Sequence, residues 1–418
     1  MKPSDRADGS LERLGPFQIG IFVLCGVCLI MDGFDVQAMG YVAPAVIEEW
    51  KIPRADMGPV FSAGLLGLLL GSLLFSMAAD RLGRRPILLG ATLIFSAFTL
   101  LSARAGSIPE LLLVRFLAGL GLGAILPNAT ALVGEYSPER HRIATMMIVT
   151  NGFTVGAMIG GLLAAWMIPA YGWRSVFYVG GSIPLAILVL MVRWLPESPD
   201  FLERRERRRQ GVTLLRLFSN GRGAGTCLLW VVNFMNVLNA YFVSSWLPTV
   251  VRDAGHTTSI AVLVGTSVQA GGAIGALVLG SVVARLGFIP VLTACFAVAT
   301  VNLALIGVPG LPLPLLFVVA FLTGWGIFGG QPCVNALAAT YYPTEIRSTG
   351  IGSGLAVGRF GAVLGPLVAG ELMRNSWSTR ELFDAAAIPA AVATAVVFAM
   401  RWVMTPLATR PAQRITLM

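Results

Sequence analysis

A succession of apolar runs restricts this chain more than any other feature. A helix rises ~1.5 Å per residue, so about 20 apolar residues match the ~30 Å hydrocarbon core of a bilayer. Twelve such runs can be counted. The first six are Phe17–Tyr41, Met57–Ala79, Pro86–Ser102, Pro109–Gly134, Ile143–Ile168 and Trp173–Leu195. The second six are Thr226–Val250, Ile260–Ala284, Phe288–Val308, Pro312–Ala339, Thr349–Glu371 and Ala385–Val403. Only 12% of the 418 residues are charged, against about 25% in a soluble domain. The expected fold class is an all-α integral membrane protein. The 48 glycines suit close helix packing in lipid. Residues 1–16 are polar and basic, and the span that follows is too long for a signal peptide.

The net charge of +9 could suggest a nucleic-acid partner, but the cations sit in short connectors between apolar runs. One set of loops holds Arg81, Arg84 and Arg85, then Arg140 and Arg142, the cluster Arg204 to Arg209, Arg285 and Arg347. The termini add Lys2, Arg6, Arg13, Arg410 and Arg414. The alternate loops are poorer in charge or mixed in sign. The positive-inside rule then places both termini in the cytoplasm, and the expected location is a bacterial cell membrane, crossed many times. Cys25, Cys28, Cys227, Cys295 and Cys333 all fall in apolar runs and read as small buried residues.

The two sets of six spans repeat. At an offset of 204 to 205 residues, Pro44 falls on Pro248 and Arg81-Leu82-Gly83 falls on Arg285-Leu286-Gly287. Phe116-Leu117, Gly119 and Gly121 fall on Phe321-Leu322, Gly324 and Gly326. Pro127 falls on Pro332, and Arg142 on Arg347. The expected organisation is a cytoplasmic segment 1–16, a six-helix bundle 17–195, a linker 196–225, a second bundle 226–403 and a tail 404–418. Two such bundles are expected to enclose a mid-membrane site and to rock about it.

Asp32 and Asp35 lie inside the first run. A charge at a helix centre costs ~2.5–3.5 kcal/mol on insertion scales, so it marks a protein interior or a wet cavity. Three residues apart, the two acids share a helix face. The repeat sets Asn236 and Asn239 at their positions in the second half, so one wall can bind a proton and the other only hydrogen bonds. Arg115 in the fourth run lies at a depth similar to Asp32, and an Arg among acids lowers the cost of burying all three. It is a candidate both for a structural pair and for a substrate contact. Arg359 in the eleventh run has no acid in the cores of runs seven to eleven, and a guanidinium binds a carboxylate in bidentate fashion. It is the favoured carboxylate contact. Asn128, Asn236, Asn239, Gln331 and Asn335 are candidate hydrogen-bond partners, and Phe34 and Tyr41 candidate stacking partners for a ring.

Ala79-Asp80-Arg81-Leu82-Gly83-Arg84-Arg85-Pro86, between spans two and three, resembles the signature loop of the major facilitator superfamily, with Ser76 where that pattern begins with Gly. Pro196-Glu197-Ser198-Pro199 after span six is similar to a second facilitator element. A cytoplasmic latch is expected here from Asp80, Arg81, Arg84 and Arg85 with Glu135 and Arg142, Asp80 facing a neighbouring helix N-terminus. Asp32-Gly33-Phe34-Asp35 resembles the motif of the aromatic acid:proton symporter family of facilitators. Arg115 through Gly123, Pro127-Asn128, Glu135-Tyr136 and Gly358-Arg359-Phe360-Gly361 are similar to it too. The resemblance implies the major facilitator fold and uptake of aromatic carboxylates such as hydroxybenzoates.

The expectation is therefore a proton-coupled symporter, Asp32 and Asp35 carrying the proton, the substrate a small organic acid, and the working unit a monomer in lipid. Importers of non-aromatic acids such as dicarboxylates, proton-exchange exporters and a non-transporting receptor are the alternatives. No phosphate-binding loop, catalytic constellation or metal-ligand cluster is visible, so neither an enzyme nor a cofactor is expected, with protons as the only coupling ion.

Overall fold

The computed structural model describes residues 15–204, 214–343 and 345–408. The basic residues Lys2, Arg6, Arg13, Arg205, Arg207, Arg208, Arg209, Arg410 and Arg414 lie outside these. Six helices, α1 (Pro16–Trp50), α2 (Met57–Leu82), α3 (Arg84–Ser102), α4 (Ile108–Tyr136), α5 (Arg142–Tyr171) and α6 (Arg174–Trp194), precede a short α7 (Pro199–Arg204). Six more follow: α8 (Gly223–Asp253), α9 (Thr258–Leu286), α10 (Phe288–Ile306), α11 (Leu313–Tyr341), α12 (Arg347–Arg374) and α13 (Thr379–Ala408). Among the described residues twelve helices are long and apolar enough to cross a membrane, and the protein is a multi-pass membrane protein. Its polarity is inverted relative to a soluble fold. Asp32, Asp35, Arg115 and Asn236 are buried, while Leu74, Ile148, Val189 and Leu277 are exposed, as lipid-facing positions require.

The helices run past the apolar runs. The first run ends at Tyr41, yet α1 continues to Trp50 through Pro44. An internal Pro forfeits one helical hydrogen bond, which membrane helices tolerate when neighbours hold the freed backbone. At the tightest turn, α2 passes to α3 through Gly83 alone, at φ +100, and α9 passes to α10 through Gly287 at φ +83. Both positions need the left-handed region that only Gly enters without strain.

The chain divides into two compact units. One takes the described residues up to 204 together with 244–266, and the other takes 214–243 and 267–408. In the first, α2 lies along α4, α1 along α5, and α3 against α4 and α6. In the second, α10 packs on α11 and α13. The internal repeat holds at the level of single backbone contacts. A Cβ on Gly67 would strike the carbonyl of Phe116, and one on Gly271 the carbonyl of Phe321. Gly121 abuts the Ala91 carbonyl and Gly326 that of Cys295. Gly156 abuts the Ile30 carbonyl and Gly361 that of Phe234. Each pair is related by the same 204–205 shift. Small residues at these crossings let helix backbones approach where lipid gives no hydrophobic drive.

Candidate functional site

Asp35 sits on α1 facing α3 and α4. Arg115 Nη2 donates to Asp35 Oδ2 at 2.7 Å, and Nη1 donates to Oδ1 at 3.2 Å. Thr99 Oγ1 donates to Asp35 Oδ1 at 2.8 Å, and Arg115 Nη2 also reaches the Asp35 carbonyl at 3.3 Å. The guanidinium lies 5.5 Å from the Phe177 ring centre. Both charged side chains are sealed, at 0% and 4% exposure. This is a bidentate, fully desolvated ion pair binding α1 to α4. The pairing of Arg115 with an acid of the first span stands, and the acid is Asp35. Of the two roles expected for Arg115, the structural pair is the one these contacts make, and its fork already holds a carboxylate. Asp32, one turn earlier on α1, is also buried.

Three further candidates make contacts within the protein. The Phe34 ring fills the space over Gly160 and Gly180, where a Cβ would stand 2.9 and 3.0 Å from it. It therefore packs α1 on α5 and α6. Tyr41 is wholly buried and donates its hydroxyl to the Ala157 carbonyl at 3.0 Å. Asn128 donates to Ala124 on its own helix at 2.8 Å, as amides in membrane helices often do.

In the second unit Asn236, Gln331 and Asn335 come together, joined by Asn233, which the sequence reading missed. Asn236 Nδ2 donates to the Ile327 carbonyl and to Gln331 Oε1, at 3.0 and 2.7 Å. Gln331 Nε2 donates to Asn233 Oδ1 at 2.9 Å and to Asn335 Oδ1 at 3.4 Å. The spacing Asn233-x-x-Asn236-x-x-Asn239 was the signal that could have found Asn233. Asn239 does not join this network. It is buried, and neither amide atom has a hydrogen-bond partner among the described residues. The repeat explains its isolation: the positions of Arg115 and Thr99 are taken by Ala320 and Leu303. Arg359 is half-buried on α12, beside Gly358, which packs on α8 at Val237 and Asn233.

At the Arg-rich end of the first unit a latch forms with different members from those expected. Arg84 Nη1 pairs with Glu135 Oε1 at 2.5 Å. Ser198 Oγ donates to Glu135 Oε2 at 2.5 Å. The carboxylate at the α3 N-terminus is Glu197, which accepts from the Arg84 and Arg85 backbone amides at 2.8 and 3.2 Å. This satisfies two orphan donors and the helix dipole together. Arg85 Nη2 donates to the Val192 carbonyl at the end of α6. Asp80, Arg81 and Arg142 are exposed and stand outside these contacts. Asp80 is thereby corrected as the helix-capping acid.

At the opposite end, also within the first unit, α1 meets the far end of α8. Gln37 Nε2 donates to the Ser244 carbonyl at 2.9 Å, and Gly40 abuts that carbonyl. Two turns on, Arg252 Nη2 pairs with Glu48 at 3.0 Å, and Arg54 pairs with Asp253 at 2.6 Å. Gly40 and Ser244 are repeat-equivalent, and so are Glu48 and Arg252. Equivalent positions of the two repeats thus touch each other twice along this crossing.

The sequence matches the model of the Major Facilitator Superfamily over residues 25–309 and again over 229–416. It is 36% identical to the 4-hydroxybenzoate transporter PcaK of Pseudomonas putida, over 92% of this chain and 92% of that one. It is likewise 36% identical to the gallate transporter of Pseudomonas putida, over 95% and 96% of the two chains. Among solved structures, a bacterial homologue of the human lysosomal transporter Spinster, inward-facing and occupied, aligns with a TM-score of 0.76 at 17% identity. That alignment covers 94% of this chain and 98% of the other, and at such identity it speaks to fold alone.

Proposed function

The chain belongs to the major facilitator superfamily of membrane transporters, and from that premise we propose that it imports aromatic carboxylates with protons. One observation carries the substrate class. Relatives at 36% identity along more than 90% of both chains are named for 4-hydroxybenzoate and gallate, two small hydroxylated aromatic acids. The excess of Arg in alternate loops supports a topology with both termini in the cytoplasm, and our reading places a monomer in a bacterial cytoplasmic membrane.

Asp32 carries the coupling proton. Protonating Asp35 would leave the buried Arg115 guanidinium without its counter-charge, and breaking such a pair costs about 3–5 kcal/mol. Asp35 therefore stays committed to Arg115 through the cycle and holds α1 in place, while Asp32 on the same helix takes a proton from outside and releases it inside. Arg359, a half-buried guanidinium on α12, meets the substrate carboxylate. Entry from the outer end requires the Gln37–Ser244, Glu48–Arg252 and Arg54–Asp253 contacts to separate. Protons are the only coupling species, and no cofactor takes part.

Uptake of labelled 4-hydroxybenzoate, gallate, benzoate and succinate into proteoliposomes, with and without an inward-directed proton gradient, tests this reading. Gradient-dependent accumulation of the aromatic acids over succinate is the expected result. Accumulation of succinate alone, or gradient-independent equilibration of every acid, would overturn it. Arg359→Lys should weaken apparent affinity about tenfold or more, because Lys cannot make the bidentate contact.

A further inference from the structure

The amide network of α8 and α11 has a direction, and both of its ends are fixed by groups that can only accept. Asn236 Nδ2 donates to the Ile327 carbonyl, and Asn233 Nδ2 donates to the Leu229 carbonyl at 3.0 Å. These two bonds orient both side chains. Asn236 must then use its second hydrogen on Gln331 Oε1, and Gln331 must turn its nitrogen to Asn233 Oδ1 and Asn335 Oδ1. An amide nitrogen has two hydrogens, and Asn236 has committed both. Its Oδ1 accepts no hydrogen bond from the described residues. Asn236 is 2% exposed, while Gln331 and Asn335 are half-buried and carry the network to accessible space.

Asn236 can therefore meet a ligand only as an acceptor. A carboxylate has no hydrogen to give and is repelled by that oxygen. A phenolic hydroxyl or an aromatic amine can donate to it, and satisfying a buried acceptor is favourable. The first repeat is built without the network. At the repeat-equivalent positions of Asn233, Gln331 and Asn335 the first half carries Leu29, Leu126 and Thr130.

We infer that Asn236 is a specificity-determining residue that selects acids whose ring bears a hydrogen-bond donor, with Gln331 as its positioning residue; this rests on the aromatic-acid reading above. A site built to bond a substrate hydroxyl discriminates strongly against analogues that lack it, because its own polar group is then left unmet.

The test is competition against labelled 4-hydroxybenzoate uptake in proteoliposomes, using 4-aminobenzoate, 4-methoxybenzoate and benzoate. In the wild type the hydroxy and amino acids should compete about tenfold or more better than the methoxy and unsubstituted ones. Asn236→Ala should flatten the series to within about twofold. Gln331→Leu, which installs the residue of the first repeat, frees one Asn236 N–H to donate. It should raise the affinity of the methoxy acid relative to the hydroxy acid several-fold, a gain that misfolding cannot produce. An unchanged hydroxyl preference in Asn236→Ala, or an unchanged methoxy-to-hydroxy ratio in Gln331→Leu, would overturn the inference. A wild type that takes up all four acids equally overturns the inference alone; one that takes up none overturns the transport reading with it.

Discussion

Replacing Asp35 by Asn removes one charge from a pair sealed at 0% and 4% exposure and joined by contacts of 2.7 and 3.2 Å. The amide can still accept from Thr99, but Arg115 becomes a buried, uncompensated cation. Stranding one member of such a pair costs about 3–5 kcal/mol. Arg115→Ala strands Asp35 instead and also loses the contact with Phe177, worth roughly 0.5–2 kcal/mol. The double variant Asp35→Asn/Arg115→Ala carries neither charge. It also reproduces what the second repeat already has at these positions, Asn239 and Ala320. It should be more stable than the sum of the single effects implies by at least ~2 kcal/mol, within the range that neighbouring residues show in double-mutant cycles. Denaturant titration of the four proteins in detergent gives the cycle. Additivity within ~0.5 kcal/mol would refute the ion pair as the clamp between α1 and α4. The double variant keeps Asp32, so it should retain proton-driven accumulation. A well-folded double variant that exchanges substrate but cannot accumulate it would assign the proton to the pair instead.

Arg252→Glu should loosen the outer crossing of α1 and α8. The pair is part-exposed and worth about 0.2–1 kcal/mol; Ser259 lines the same pocket as Glu48 and Arg252, so a cysteine placed there should react with an impermeant maleimide up to about fivefold faster. Adding Glu48→Arg should restore the slow rate, and failure of the swap to restore it would refute the pairing. Asn239→Leu should stabilise the protein by about 1–2 kcal/mol in the same denaturant titration, because it removes a buried amide that has no partner among the described residues. A loss of stability would show that the amide is held.

The architecture was legible in the sequence because length and hydropathy alone decide what can cross a bilayer, and because the repeat left its prolines and glycines in register. The buried arginine was legible for a similar reason: depth follows from counting residues along a helix. Its partner was not. Asp32 and Asp35 share a helix face, and the one that meets Arg115, Asp35, is also held by Thr99, an ordinary residue in a different span. The orientation of the aromatic candidates was illegible on the same ground. Where Phe34 points is set by Gly160 and Gly180, more than a hundred residues away, and no local pattern announces that. Amides were ambiguous because an Asn in a membrane helix bonds equally well to its own backbone, as Asn128 does, or to a neighbour, as Asn236 does. The latch at the Arg-rich end carried its residues in plain sight, but Glu197 rather than Asp80 reaches the α3 N-terminus. One Gly turn fixes that helix start, and the acid that meets it comes from beyond α6.

The most direct measurement is accumulation of labelled 4-hydroxybenzoate by Asp32→Asn in proteoliposomes with an inward-directed proton gradient, beside counterflow exchange at symmetrical pH. We expect exchange to persist and gradient-driven accumulation to vanish, since the variant retains the Asp35–Arg115 clamp but has no carboxylate at position 32 to take up and release the proton. Accumulation equal to the wild type's would contradict the assignment of the coupling proton to Asp32.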